Sequence, residues 1–393
     1  MGLADLSGIT FPWDTLAELK ATARAHPGGM VDLSMGTPVD PTSSLVRDAL
    51  AAASDAPGYP TTAGTPRLRE SVAEWFARRR GVPGLAPDQV LPTVGSKELV
   101  ALLPSLLGVG PGDVVVHPQI AYPTYAVGAA AAGATALATD DVDEWAGRDD
   151  VRLVWVNSPA NPHGRVLDVG ELRRVVAAAR EIGAVVASDE CYAELGWGRW
   201  APAGEEPGEE VPGQARAGDT PAGDTPGEGL RGVPSILDPR VCDNSHDGLL
   251  AAYSLSKQSN LAGYRAAFVA GDRELVAQLL ARRKHLGLIV PAPVQAAMVA
   301  ALGDDGHVAA QRRIYGARRR ALAGALDAAG LTVDHSEAGL YLWVPTSAEW
   351  FAERGVLVAP GGLYGPAGDD HVRTALTATD EQIADVVLRL TNS

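Results

Sequence analysis

Short, almost unbroken apolar runs recur along this chain from about Val90 onward: VVVH, RLVWVN, AVVASD, LLAAYSLS and AAFVAG. A sheet with one wet face would alternate apolar and polar residues; runs apolar on both faces need a cover on both sides. Between them lie helical patterns such as DVGELRRVVAAAREIG. Together they predict an α/β fold, a mostly parallel sheet sandwiched by helices with right-handed crossovers. In such sheets functional groups collect just past the carboxyl ends of strands. That directs attention to 157–164, 189–192 and 254–257.

The chain has 393 residues, which suits a large unit plus a smaller one. The last hundred residues change character. A long amphipathic pattern, HVAAQRRIYGARRRALAGALDAAG, carries a basic face expected to be solvated, and GLYLWVP and GVLVAPGGLYG read as α+β. We expect an N-terminal segment over 1–46 that joins the small domain, a large domain over 47–285 and a small domain over 286–393. The stretch APAGEEPGEEVPGQARAGDTPAGDTPGEG, with seven acidic residues and one basic, cannot bury a core; a disordered insertion is expected over 201–232.

A net charge of -15 argues against nucleic-acid and anionic-membrane partners, though local arginines could still hold small anions. Cys191 and Cys242 have no metal-ligand spacing and read as two reduced thiols. No metal site is expected. The start of the chain lacks a basic region followed by an apolar core. The uncharged stretch from Val114 is broken by prolines and glycines and is not read as a membrane span. A cytoplasmic protein is expected.

The most informative stretch is YSLSKQSNLAGYR, Tyr253 to Arg265. It ends a buried strand on Lys257, and lysine is rarely buried without a reason. Ser254 and Lys257 match the S-x-x-K of serine hydrolases, but neither K-T-G nor S-D-N occurs in the chain. A lysine that loses its proton easily can instead form a Schiff base. The carbonyl compound that suits the surroundings is pyridoxal phosphate, which needs a phosphate cradle and an acid near its ring nitrogen. Ser254, Ser256 and Arg265 offer phosphate donors, and Gly95-Ser96-Lys97 opens a helix whose free N–H groups offer more. Asp189, ending AVVASD, can keep a pyridine nitrogen protonated. Tyr192 and Asn161 can donate to the ring's phenolic oxygen. Taken alone, Asp189 reads equally well as a helix cap.

NPHG, SDECYAEL and SLSKQSNLAGYR, in this order and spacing, resemble the class I/II aminotransferases of the fold-type I pyridoxal-phosphate enzymes. The resemblance runs from LSMGTPVDP to VRTAL and implies a sheet of the seven-stranded type. It implies that Lys257 is the Schiff-base residue, that Ser254 and Arg265 bind phosphate, and that Asn161, Asp189 and Tyr192 hold the ring. It further matches Tyr122 to a ring-stacking aromatic and Tyr59 to a tyrosine reaching a partner subunit's phosphate. Arg373 matches the arginine that grips the substrate α-carboxylate, and Gly36 a glycine lying against substrate. A homodimer with shared sites follows. His163 departs from the family's usual threonine and is read as structural.

More specifically, DLSMGTPVDP, LPTVGSKELVALLP, DECYAELGW and RKHLGLIVPAPVQAAMVAAL resemble the actinobacterial succinyldiaminopimelate aminotransferases of lysine and diaminopimelate biosynthesis. The implied reaction exchanges an amino group between N-succinyl-LL-2,6-diaminopimelate and 2-oxoglutarate through pyridoxamine phosphate. A second cation for the distal acid is then expected, with Lys97, Lys284 and His285 as candidates. The alternatives are an aminotransferase acting on aspartate or alanine, a pyridoxal-phosphate β-lyase and a non-enzymatic regulator on the same fold.

Overall fold

The apolar runs become strands of one sheet. The computed structural model describes residues 15–205 and 232–392. The strands are β1 (Val90–Val94), β2 (Val114–His117), β3 (Thr135–Ala138), β4 (Val151–Asn157), β5 (Val185–Asp189), β6 (Leu249–Ser254) and β7 (Ala266–Gly271). Their order is β1-β7-β6-β5-β4-β2-β3. β7 alone runs against the others. This is the mostly parallel, seven-stranded sheet expected.

Every residue of β6 and β7 is buried. Alternate side chains feed different cores: Ala251 and Tyr253 pack with Trp75, Phe76 and Phe268 on one face, while Leu250 and Ala252 pack with Leu99 and Val269 on the other. Each large apolar side chain so buried stabilises the fold by about 1.5–3 kcal/mol. Crossover helices supply the covers. α1 (Ser96–Leu107) and α2 (Thr124–Ala131) pack together. α3 (Val169–Ile182) starts at a capping box in which Asp168 and Glu171 each accept the other's backbone N–H.

The smaller sheet contains β8 (Tyr341–Val344), β9 (Ala359–Pro360) and β10 (Val372–Ala375), antiparallel in the order β9-β10-β8. Val31–Asp32 pairs with Val356–Leu357, which ties the N-terminal segment to this half. Helix Ala292–Leu302, beyond the boundary expected near 285, sends Ala297, Met298 and Ala301 into the core of the large sheet. The core of the smaller sheet, with Leu342, Val344 and Val372, also takes in Cys191, Tyr192 and Leu195, just past β5. The carboxyl end of β5 therefore lies where the two cores meet.

The basic face of α4 (Asp305–Ala328) is a correction to the sequence reading. Arg312, Arg318 and Arg319 are buried. Arg318 pairs with Asp40 and with Asp380 at the start of α5 (Asp380–Thr391). Arg312 donates to the Gly196 carbonyl, and Arg319 to that of Ser336. Their partners come from distant parts of the chain, so the helix pattern alone could not show them.

Residues 206–231, most of the expected disordered insertion, lie outside the described residues. Its leading edge is ordered, contrary to expectation: Ala201 is buried, and Glu205 pairs with Arg79 and Arg312. Among the described residues no group of three His, Cys, Asp or Glu is placed to hold a metal ion. Nor, among them, is any helix long and apolar enough to cross a membrane. Cys191 and Cys242 are both buried, free thiols.

Candidate active site

β4, β5 and β6 end side by side, with Asn157 opposite Asp189 and Asp189 opposite Ala252. The chain leaves β6 in a single helical turn, Leu255–Gln258, that carries Lys257. These ends open into a cavity of about 530 Å³ that also receives Asn161, Tyr192 and Arg373. The small sheet thus brings Arg373 to residues far from it in sequence.

Asp189 is buried. Its Oδ2 accepts from the Tyr125 hydroxyl at 3.0 Å and its Oδ1 from the Cys191 N–H at 3.2 Å. Burial pushes its pKa above the ordinary carboxylate value, against the pull of the hydrogen bonds from Cys191 and Tyr125. No cationic side chain forms an ion pair with it among the described residues. Arg373, 2% exposed, is the opposite case. Its Nη1 donates to Asn161 Oδ1 at 2.9 Å and its Nη2 to the Ser34 carbonyl at 2.6 Å. Its Nε is buried without a partner, and no described carboxylate pairs with it. A buried charge without a counter-charge is costly. One cavity here holds two, of opposite sign.

At the other end, Ser254 Oγ lies 2.8 Å from Ser256 Oγ. Gly95 precedes α1 at φ 76°, and a Cβ there would fall 2.1 Å from Arg265 Nη2. Only glycine leaves the guanidinium room over the helix start. Hydroxyls, guanidinium and free helix N–H groups converge as an anion cradle. These donors fit the phosphate of pyridoxal phosphate, and Asp189 fits its ring nitrogen. The Lys257 amine donates to the Gly36 carbonyl.

The remaining expected residues divide. Ser96, Lys97 and Tyr122 line the cavity, and the Lys97 ammonium lies 5.8 Å from the Tyr122 ring centroid. Tyr59 is 100% exposed and does not line its own chain's cavity. Lys284 and His285 are exposed on helix Arg273–Leu286, away from it. Tyr125, Cys191 and Tyr341 line the cavity and were missed by sequence reasoning. Tyr125 had a signal, a second tyrosine in AYPTY. Tyr341 had only its place in a strand.

Tyr341 Oη lies 3.0 Å from Tyr192 Oη. Burial holds the Tyr192 phenol well above its ordinary pKa. Burial also opposes ionisation of Tyr341, but the positive charges of Arg373 and Lys257, with the hydrogen bond to Tyr192, outweigh it and lower that phenol.

His163 is not among the residues lining the cavity, and its ring lies 5.2 Å from that of His335. Its Nδ1 accepts the Arg165 N–H at 3.2 Å, as a neutral ring can. Half-buried by exposed area, it is nonetheless pushed from 6.5 down to about 3, by desolvation first and then by His335, Arg165 and His371. Below pH 6.5 the unfolded chain takes up a proton that the folded chain refuses, so stability falls as pH falls. Between pH 7 and 5, His163→Thr should lose about 2 kcal/mol less stability than the parent chain. Unfolding midpoints of both at the two pH values check this; identical losses would refute it.

A family model described as aminotransferase class I and II matches residues 29–390. The chain is 55% identical over 387 residues to the probable aminotransferase Rv1178 of Mycobacterium tuberculosis, covering 97% of this chain and 85% of that one. It is 52% identical over 387 residues to the 4-dedimethylamino-4-oxo-anhydrotetracycline transaminase OxyQ of Streptomyces rimosus, covering 97% and 98%. Among solved structures, a probable N-succinyldiaminopimelate aminotransferase from Thermus thermophilus superposes with a TM-score of 0.78 at 27% identity, covering 97% and 99%. The chain belongs to the class I and II aminotransferases. Members of that family use pyridoxal phosphate, which is the cofactor here, and take amino acids and keto acids as substrates.

Proposed function

We propose that this aminotransferase exchanges an amino group between N-succinyl-LL-2,6-diaminopimelate and 2-oxoglutarate. The observation that carries the site reading is the pair of unmatched buried charges, Asp189 and Arg373, in one cavity with Lys257. A pyridinium ring and a substrate carboxylate match both. The motif resemblance and the likeness to the Thermus protein support the choice of substrate. So does Lys97, the one cation at the cavity among the three proposed for the distal acid.

When bound, pyridoxal phosphate supplies the electron sink that lets an amino acid lose its Cα proton. Lys257 would hold the cofactor covalently and, once freed by the substrate amine, would be the base that moves the Cα proton. Arg373 holds the α-carboxylate, which orients the Cα–H toward Lys257. Asp189 would face the ring nitrogen. Asn161 has its Oδ1 occupied by Arg373, which leaves its Nδ2 to face the phenolic oxygen beside Tyr192. Tyr122 would stack on the ring. Ser254, Ser256, Arg265 and the helix start at Ser96 and Lys97 would hold the phosphate, joined by Tyr59 of a second copy in a cytoplasmic homodimer.

The test is a half-reaction. Loaded protein is mixed with N-succinyl-LL-2,6-diaminopimelate without any keto acid, and the cofactor's visible band is followed. Loss of the band with formation of pyridoxamine phosphate, at lower concentration than aspartate or alanine needs, is expected. Conversion with aspartate or alanine only would sink the substrate and keep the class. A second reading comes from OxyQ, whose name gives a polycyclic ketone as its substrate. Met35, 43% exposed at the cavity wall, offers apolar surface to such a ligand. Amination of that ketone by the pyridoxamine form, with no response to the succinylated diamine, would favour it.

A further inference from the structure

One side chain, Tyr341, touches both the carboxylate-binding arginine and the tyrosine that faces the ring. It opens β8 opposite Ala375, and Arg373 pairs with Trp343. Tyr341 and Arg373 are therefore diagonal neighbours on one face of an antiparallel pair, within reach of an aromatic ring. The Arg373 guanidinium carbon lies 4.0 Å from the Tyr341 ring centroid, with the Tyr364 ring at 5.0 Å. The Tyr341 hydroxyl is 3.0 Å from that of Tyr192. Gly36 closes its other side, since a Cβ there would fall 2.0 Å from the same oxygen.

We propose that Tyr341 is a positioning residue: its ring fixes the Arg373 guanidinium, and its hydroxyl donates to Tyr192 so that Tyr192 aims its own O–H at the cofactor's phenolic oxygen. The proposal rests on the aminotransferase reading of the site. A phenol has one hydrogen to give and two lone pairs to accept with. If Tyr192 gave its hydrogen to Tyr341, none would remain for the ring oxygen. Tyr341 must therefore be the donor in the pair. The guanidinium is already held at both Nη atoms, and an aromatic face adds an attraction perpendicular to those bonds, the direction in which it could still swing.

Tyr341→Phe and Tyr341→Leu separate the two roles. For each loaded protein we would measure the dissociation constant for pyridoxal phosphate, the pH midpoint of the visible band, and KM and kcat for an amino donor. Tyr341→Phe keeps the ring and should leave KM within about twofold. It should raise the band's pH midpoint by about half to one unit, because a donor to the phenolic oxygen favours its anionic state. The cofactor should also bind a fewfold more weakly. Tyr341→Leu should show the same midpoint shift and, in addition, raise KM about tenfold. An unchanged midpoint in Tyr341→Phe would overturn the hydroxyl's role. Equal KM in the two variants would overturn the ring's. A parent protein that develops no visible band with pyridoxal phosphate would overturn the site reading itself, and that result needs no variant.

Discussion

Lys257→Ala is expected to lower kcat for transamination at least about ten-thousandfold, because one side chain both attaches the cofactor and moves the proton. The fold should hardly notice. Lys257 is half-buried on a one-turn helix, and its amine donates to the Gly36 carbonyl, an oxygen that water can reach once the side chain is cut back. Activity with any amino acid and keto acid pair, measured beside a melting curve, checks both halves. A variant that keeps more than about a hundredth of the activity would remove Lys257 from the chemistry. Lys97→Ala is the control: that side chain also lines the cavity, yet its loss should weaken binding of a diacid and spare turnover of alanine.

Arg373→Leu should lower kcat/KM for amino acids about a hundred- to a thousandfold, the loss expected when one partner of a buried charge pair is removed. The sharper readout is selectivity. An amine lacking the α-carboxylate has nothing for Arg373 to hold, so the variant should process it within about tenfold of the parent. Equal losses for both kinds of donor would mean that Arg373 supports the cavity rather than the carboxylate. Stability should move little. Leucine relieves the burial of a charge that no described carboxylate matches, while Asn161 Oδ1 and the Ser34 carbonyl lose their donor.

The large sheet was legible because a strand buried on both faces writes a continuous apolar run, and because chemistry gathers where such strands end. Asp189, Lys257 and Asn161 stood out for that reason, and the structure brings them to one cavity. Arg373 was reached only through the family resemblance. Nothing in VRTAL reveals where β10 will lie. Tyr341 was invisible for a related reason. Which residues of GLYLWV face the cavity depends on register with β10, a pairing across some thirty residues that no local pattern encodes. The buried arginines of α4 and the histidines around His163 failed in the same way, since their partners Asp40, Asp380, His335 and His371 are remote in sequence. Periodicity reports burial against a generic core. It does not report which distant charge arrives to make a polar face a buried one.

The described residues on either side of 206–231 are fastened to neighbouring arginines. Arg79 holds Glu205, while Arg80 holds the Val233 carbonyl and Glu190. Glu190 in turn accepts from Ser235 and from the Ile236 N–H. At the exit and return points a Cβ on Gly232 would lie only 3.7 Å from the Pro202 Cα. The chain thus departs and returns through one doorway, framed by the residue next to Asp189. Closing a longer loop costs only about 0.6 kcal/mol per doubling of its length. A change in the length of the chain between those posts should therefore leave the carboxylate beside the doorway in register.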